Sequence, residues 1–156
     1  MATRDMASGK KITQHLAAAA YTTTQTPSTG VDTQGFDAVT FLIAIGVVSN
    51  IANSPQPSWT FKLEESDTSN ASFVAITDST RVLVNGIASP GTAPNSSTGV
   101  FLTIDDAAED AATYHVGVIT DKRYVRVVAT AAATPGSTPM CIVAVLERGA
   151  LEPVSN

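Results

Sequence analysis

Two histidines and one cysteine are the whole supply of imidazole and thiol in this 156-residue chain. With Cys141 alone, an intrachain disulfide and a cysteine-rich zinc site are both excluded, which points to assembly in a reducing cytoplasm. His15 and His115 are isolated from any Cys, Asp or Glu at a metal-ligand spacing such as H-x-x-x-H, and each is read as a surface or strand-edge histidine. No serine sits in a G-x-S-x-G elbow, so no nucleophile is signalled. Basic residues are few: 9 Lys and Arg against 14 Asp and Glu give a net charge of −5, and the surface lacks the positive potential that phosphate backbones require. Nucleic acid is therefore not an expected partner. Long apolar runs are missing as well. Phe41 to Val48 and Met140 to Leu146 fall far short of the roughly 20 residues of a membrane-spanning helix, so no membrane partner is expected. Met1 through Lys11 carries Arg4, Lys10 and Lys11, but Gln14, His15 and a short alanine run follow, which makes a poor signal peptide.

What is present is enough to fold. Apolar residues make up 44% and charged residues only 15%, a balance that buries a core and does not hold a chain apart by self-repulsion. The length suits one domain. The expected organisation is an N-terminal arm over 1–11, a single β-domain over 12–150 and a C-terminal tail over 151–156.

Within that domain, Ile12 to Tyr21 fits a helix face through Ile12, Leu16 and Ala20 and a strand face through Ile12, Gln14, Leu16 and Ala18. The β-branched run Thr22 to Thr24 favours the strand. Asp37 to Val48 places Val39, Phe41, Ile43, Ile45 and Val47 on one face and Ala38, Thr40, Leu42, Ala44 and Gly46 on the other, as expected for a central strand covered on both sides. Ser58 to Glu65 alternates Trp59, Phe61 and Leu63 against Ser58, Thr60, Lys62 and Glu64, a strand with one wet face. After the turn cluster Ser66 to Asn70, the residues Phe73, Val74 and Ile76 read as its hairpin partner. Arg81 to Val84, Val100 to Ile104, Tyr114 to Ile119, Arg123 to Thr130 and Met140 to Arg148 are further expected strands. A long surface loop over Asn85 to Thr98, a helical turn among the alanines of Asp105 to Thr113 and a tight connection at Thr120 to Lys122 fill the gaps. Eight to ten short strands with turn signals between them predict an all-β fold, an antiparallel two-sheet sandwich resembling a jelly roll. Its core is expected to hold Val39, Phe41, Ile43, Trp59, Phe61, Leu63, Val125, Val127, Val143 and Val145.

No motif carries chemistry. Asp105, Asp106, Glu109 and Asp110 are the densest carboxylates and could offer oxygen ligands to calcium. They lack the D-x-[DN]-x-[DN]-G register, which Asp67 to Asn70 matches only weakly, so a solvated loop is expected and no metal or other cofactor. Trp59 could stack on a sugar, but its alternation with Phe61 and Leu63 turns it into the core. Cys141, inside an apolar run, reads as a small buried hydrophobe. Lys122, Arg123 and Arg126 read as partners for Asp121 or for acids across the sheet.

Three stretches, taken in order, resemble a family of small structural proteins of tailed bacteriophages that accompany the major capsid protein and decorate the head. They are Gln34 to Phe41, opening the central strand; Phe61 to Asp67 followed by Phe73; and Tyr114 to Gly117 with Lys122 to Val128, closed by Val143 to Val154. The similarity runs from about Leu16 to Val154, and the chain departs from it at Glu147 to Glu152 and at Asp105 to Asp110. None of these motifs is catalytic. The resemblance implies a non-enzymatic capsid decoration protein on the outer head surface, assembled in the host cytoplasm and bridging major capsid protein subunits. It implies a homo-oligomer, with a trimer favoured because capsid subunits meet at three-fold points. The alternatives are a head-to-tail connector or tail component forming a ring and, from another class, a carbohydrate-binding sandwich.

Overall fold

Alternating apolar residues build ten strands and no helix among the described residues of the computed structural model, which are 9–84 and 92–147. The strands are β1 (Lys10–Tyr21), β2 (Val31–Asp32), β3 (Ala38–Ile45), β4 (Ser58–Ser66), β5 (Val74–Ala75), β6 (Val82–Leu83), β7 (Val100–Ile104), β8 (Ala112–Val118), β9 (Tyr124–Ala132) and β10 (Thr138–Glu147). Residues 1–8 of the expected arm, 85–91 of the expected loop, and 148–156 with the expected tail lie outside the described residues. Lys10 and Lys11, expected in the arm, are the first residues of β1 and pair with Glu147 and Leu146.

All the pairings are antiparallel and they sort into two sheets. Sheet A runs β1-β10-β3-β8-β6, and sheet B runs β2-β9-β4 with both β5 and β7 against the far edge of β4. Setting aside the two-residue β5 and β6, the chain changes sheet at every step except from β4 to β7, which pair with each other, giving the orders β1-β10-β3-β8 and β2-β9-β4-β7. That is the strand order of a jelly roll, and the expected sandwich is therefore found. The tight connection Thr120 to Lys122 accordingly crosses between sheets, and β8 and β9 do not pair.

The core lies between the sheets. Phe41 and Ile43 from β3, Trp59, Phe61 and Leu63 from β4, and Val125 and Val127 from β9 are fully buried, as the alternation of those strands predicts. At roughly 25 cal/mol per Å² of apolar surface, such side chains supply most of the folding drive. The Trp59 indole N–H donates to the buried Thr138 hydroxyl at 3.0 Å, joining β4 to β10 across the sandwich.

Three expectations are corrected. Val143 and Val145 lie on the outer face of β10, while Met140, Ile142, Ala144 and Leu146 face the core. Both faces of this strand are apolar, so its sequence does not choose between them. The register does, by pairing Ile142 with Ile43 and Leu146 with Val39. Second, β3 is central but covered on one side only: Leu42 is 39% exposed, and Val47, 62% exposed, lies past the strand end. Third, Asp105 to Ala111 forms turns rather than a helical turn, because its acids hydrogen-bond the loop's own amides.

Candidate interaction surfaces

The two outer sheet faces differ in chemistry. On sheet B, Arg126 donates to Glu64 Oε2 from Nε and from the terminal nitrogen at 2.8 and 2.6 Å, and to the Pro27 carbonyl at 2.8 Å. Its guanidinium also lies 3.9 Å from the centre of the Phe73 ring. Lys62 completes the cluster 2.7 Å from Glu64 Oε1. Glu64 is thereby buried although it stands on the outer face. Burial alone would raise its pKa, but the hydrogen bonds from Lys62 and Arg126 outweigh it and hold the carboxyl below the usual range. Nearby, Arg81 and the Thr120 hydroxyl both engage Glu65, Lys122 pairs with Asp67, and Arg123 forks onto Asp32. Lys122, Arg123 and Arg126 thus find acids from other strands and loops as expected, with Asp32, Glu64 and Asp67 as the partners in place of Asp121.

Sheet A presents the opposite. Its outer face carries Ile12 on β1, Val143 and Val145 on β10, Leu42 on β3 and Leu83 on β6, with Ile12 70% and Leu83 42% exposed. Toward the other end of the same strands the side chains shrink to Ala18, Ala44, Gly46, Pro139 and Cys141, which line a shallow apolar depression. Cys141 is therefore half-buried on this outer face and does not belong to the core, for the same register reason that moves Val143 and Val145 outward. His115 is exposed on this face beside Leu42, as expected for a surface histidine.

His15 departs from the expectation. It lies on the edge strand β1, but its ring is turned into the sandwich, edge-on to Phe41 with centroids 5.3 Å apart. Nε2 accepts the Val127 backbone N–H at 3.0 Å. Burial, opposed by the Val127 carbonyl and aided by the charge of Arg126, lowers its pKa to about 4. Nothing in the sequence around His15 signals this, because its partner lies on the other sheet.

The acidic loop is used internally. Glu109 accepts the Asp105 and Asp106 amides at 3.0 and 3.2 Å, Asp106 accepts that of Ala108 at 2.8 Å, and Asp110 accepts that of Val48 at 2.9 Å. No group of three or more potential metal ligands occurs among the described residues. Trp59 is fully buried and is closed to a sugar ring. In comparisons with known proteins, no family model and no curated protein matches the chain.

Proposed function

We propose that this chain is a virion structural protein that decorates a tailed-phage capsid and stabilises it by bridging subunits of the major capsid protein, as a homo-oligomer without catalytic activity. The observation that carries this reading is the apolar outer face of sheet A, uncharged across its central rows, on a chain of net charge −5. Exposed apolar side chains grouped on one sheet face favour contact with protein. The family resemblance of Gln34 to Phe41, Phe61 to Asp67 and Lys122 to Val128 supplies the setting, a capsid whose subunits the resulting oligomer bridges. Jelly rolls recur in viral capsid and lectin domains, an analogy of fold that agrees with the reading without establishing it. The lectin-like alternative needs exposed aromatic platforms, and the buried Trp59 does not provide one.

The mechanism is mechanical. Each copy adds modest contacts across a seam between capsid subunits, and an oligomer engages several seams at once, so its dissociation requires all of them to open together. The work of separating subunits rises at every symmetry-related site. The test is the copy number of this protein relative to the major capsid protein in purified particles. Hundreds of copies distributed by icosahedral symmetry are expected. About a dozen or fewer at one vertex would overturn decoration and favour the connector ring.

A further inference from the structure

The outer face of sheet A divides into two halves along the strand direction. Cross-strand registers set Ile12, Val145 and Thr40 in one row, and Gln14, Val143, Leu42 and His115 in the next. Beyond them come Cys141, Ala44 and Thr113, and then Pro139 beside Gly46. The first two rows hold the bulky residues and form a ridge. The last two hold small ones and form the depression.

We propose that this face binds a second copy of the same chain, two-fold related, with the ridge of each copy seated in the depression of the other. The proposal rests on the homo-oligomer of the preceding reading and gives it a two-fold contact, where capsid geometry alone favoured a trimer. An axis lying in the interface and running across the strands, between the Leu42 and Ala44 rows, sends each row to its opposite. Leu42 then meets Ala44 of the second copy, Val143 meets Cys141, and Val145 meets Pro139. Large faces small throughout, as an isologous contact requires.

Two further observations favour a copy over a different partner. The central rows carry no charged residue. The ion pair of this face, Lys10 with Glu147 at 2.5 Å, sits at its far end and is internally matched. Two chains of net charge −5 repel each other, and an uncharged face is where they can meet at least cost. A basic partner would be drawn to the acids elsewhere on the molecule. The area also suffices. Four strands, β1, β10, β3 and β8, each about 4.8 Å wide and spanning about eight residues at ~3.3 Å each, give roughly 500 Å² of flat face per copy. Two copies then bury about 1,000 Å² before side-chain relief is added, which reaches the threshold of a specific interface.

Light scattering on the purified chain during size-exclusion chromatography tests this at micromolar concentration and needs no particle. The expected mass is twice that of the 16.1 kDa chain. Leu42→Asp and Ala44→Lys, each placing a charge opposite an apolar residue, should separately give the single-chain mass while keeping the circular dichroism spectrum and a cooperative melt. An equal mixture should restore the double mass, because the new carboxylate of one variant then meets the new ammonium of the other. Val143→Asp is the substitute should either variant fail to fold. A wild-type mass of one or three chains, a Leu42→Asp protein that stays paired, or a mixture that remains single would overturn the proposal. Failure of particle decoration with the double mass intact would overturn the functional reading alone.

Discussion

His15 on β1 completes the hydrogen bonding of Val127 on β9, a residue of the opposite sheet. The neighbour of β9 on that side is thin: β2 pairs only at Val125 and Tyr124, and a single bridge from Gln25 reaches Ala129. Between those two points the Val127 amide would face the sandwich edge without a strand partner. The imidazole takes the place of the missing strand, and an unsatisfied buried amide costs about 1 to 3 kcal/mol. Together with the Trp59–Thr138 bond it ties sheet A to sheet B by polar contact across an otherwise apolar interior.

This arrangement predicts an acid-sensitive fold. The His15 pKa is about 4 in the folded chain against 6.5 ordinarily. Above pH 6.5 the ring is neutral in both states and its full contribution is present. As pH falls, the unfolded chain takes up the proton first, so stability is lost between about 6.5 and 4, by up to about 3 kcal/mol. Urea unfolding at pH 7, 5.5 and 4.5 should show the loss, and His15→Gln, which keeps an acceptor but does not titrate, should flatten it. An unchanged pH slope in the variant would count against the assignment.

The contrast between β4 and β10 shows how far the sequence could be read. In β4 the large apolar residues alternate with Ser, Thr, Lys and Glu, so only one face can be buried, and Trp59, Phe61 and Leu63 are found there. In β10 Cys141, Val143 and Val145 alternate with Met140, Ile142, Ala144 and Leu146, and burial of either face satisfies the pattern. Only the pairing with β3 decides it. The same ambiguity in β3 suggested cover on both sides and concealed the exposed apolar face, which the sequence shows only as surplus hydrophobicity. His15 was illegible for a different reason: its role depends on how few residues β2 pairs with β9, a property of the assembled sandwich.

Phe61→Ala should lower stability by about 3 to 5 kcal/mol, since a fully buried ring leaves both lost transfer energy and a cavity. Lys62→Ala removes one of two cations at Glu64 on the opposite face and should cost about 1 kcal/mol or less. Chemical denaturation of the two variants distinguishes the faces, and equal losses would contradict the register of β4.

Arg126→Ala should cost more than Lys62→Ala, by about 2 kcal/mol. It removes both bonds to Glu64 Oε2, the bond to the Pro27 carbonyl and the cation over Phe73, and it leaves a buried carboxylate with Lys62 alone. Glu64→Gln in the Arg126→Ala background should recover part of the loss by removing the unpaired charge. A double variant no more stable than Arg126→Ala would show that the packing over Phe73 dominates.

Calcium and chelators should leave the melting temperature unchanged. Oxygens of Asp106, Glu109 and Asp110 already accept backbone amides of their own loop and of Val48, so a cation would have to displace bonds that shape the connection between β7 and β8. A calcium-dependent rise of several degrees in a thermal melt would reverse this reading of Asp105 to Asp110.

Removal of Met1 to Gly9 should spare the fold and weaken attachment to the particle. The strand β1 begins at Lys10, whose pairing with Glu147 and whose salt bridge to it lie entirely within the retained chain. Among the described residues every core side chain likewise comes from Leu16 onward. The Lys10–Glu147 pair also brings both ends of the domain to one end of sheet A, so residues 1–9 and the tail beyond Glu147 depart from neighbouring points. Copies joined through the sheet face add their arm contacts, and shortening the arm lowers the avidity of every copy at once. Circular dichroism of the truncated chain should match the full one, while its retention on particles in a sedimentation assay should fall. Undiminished retention would move the capsid contact from the arm to the folded domain.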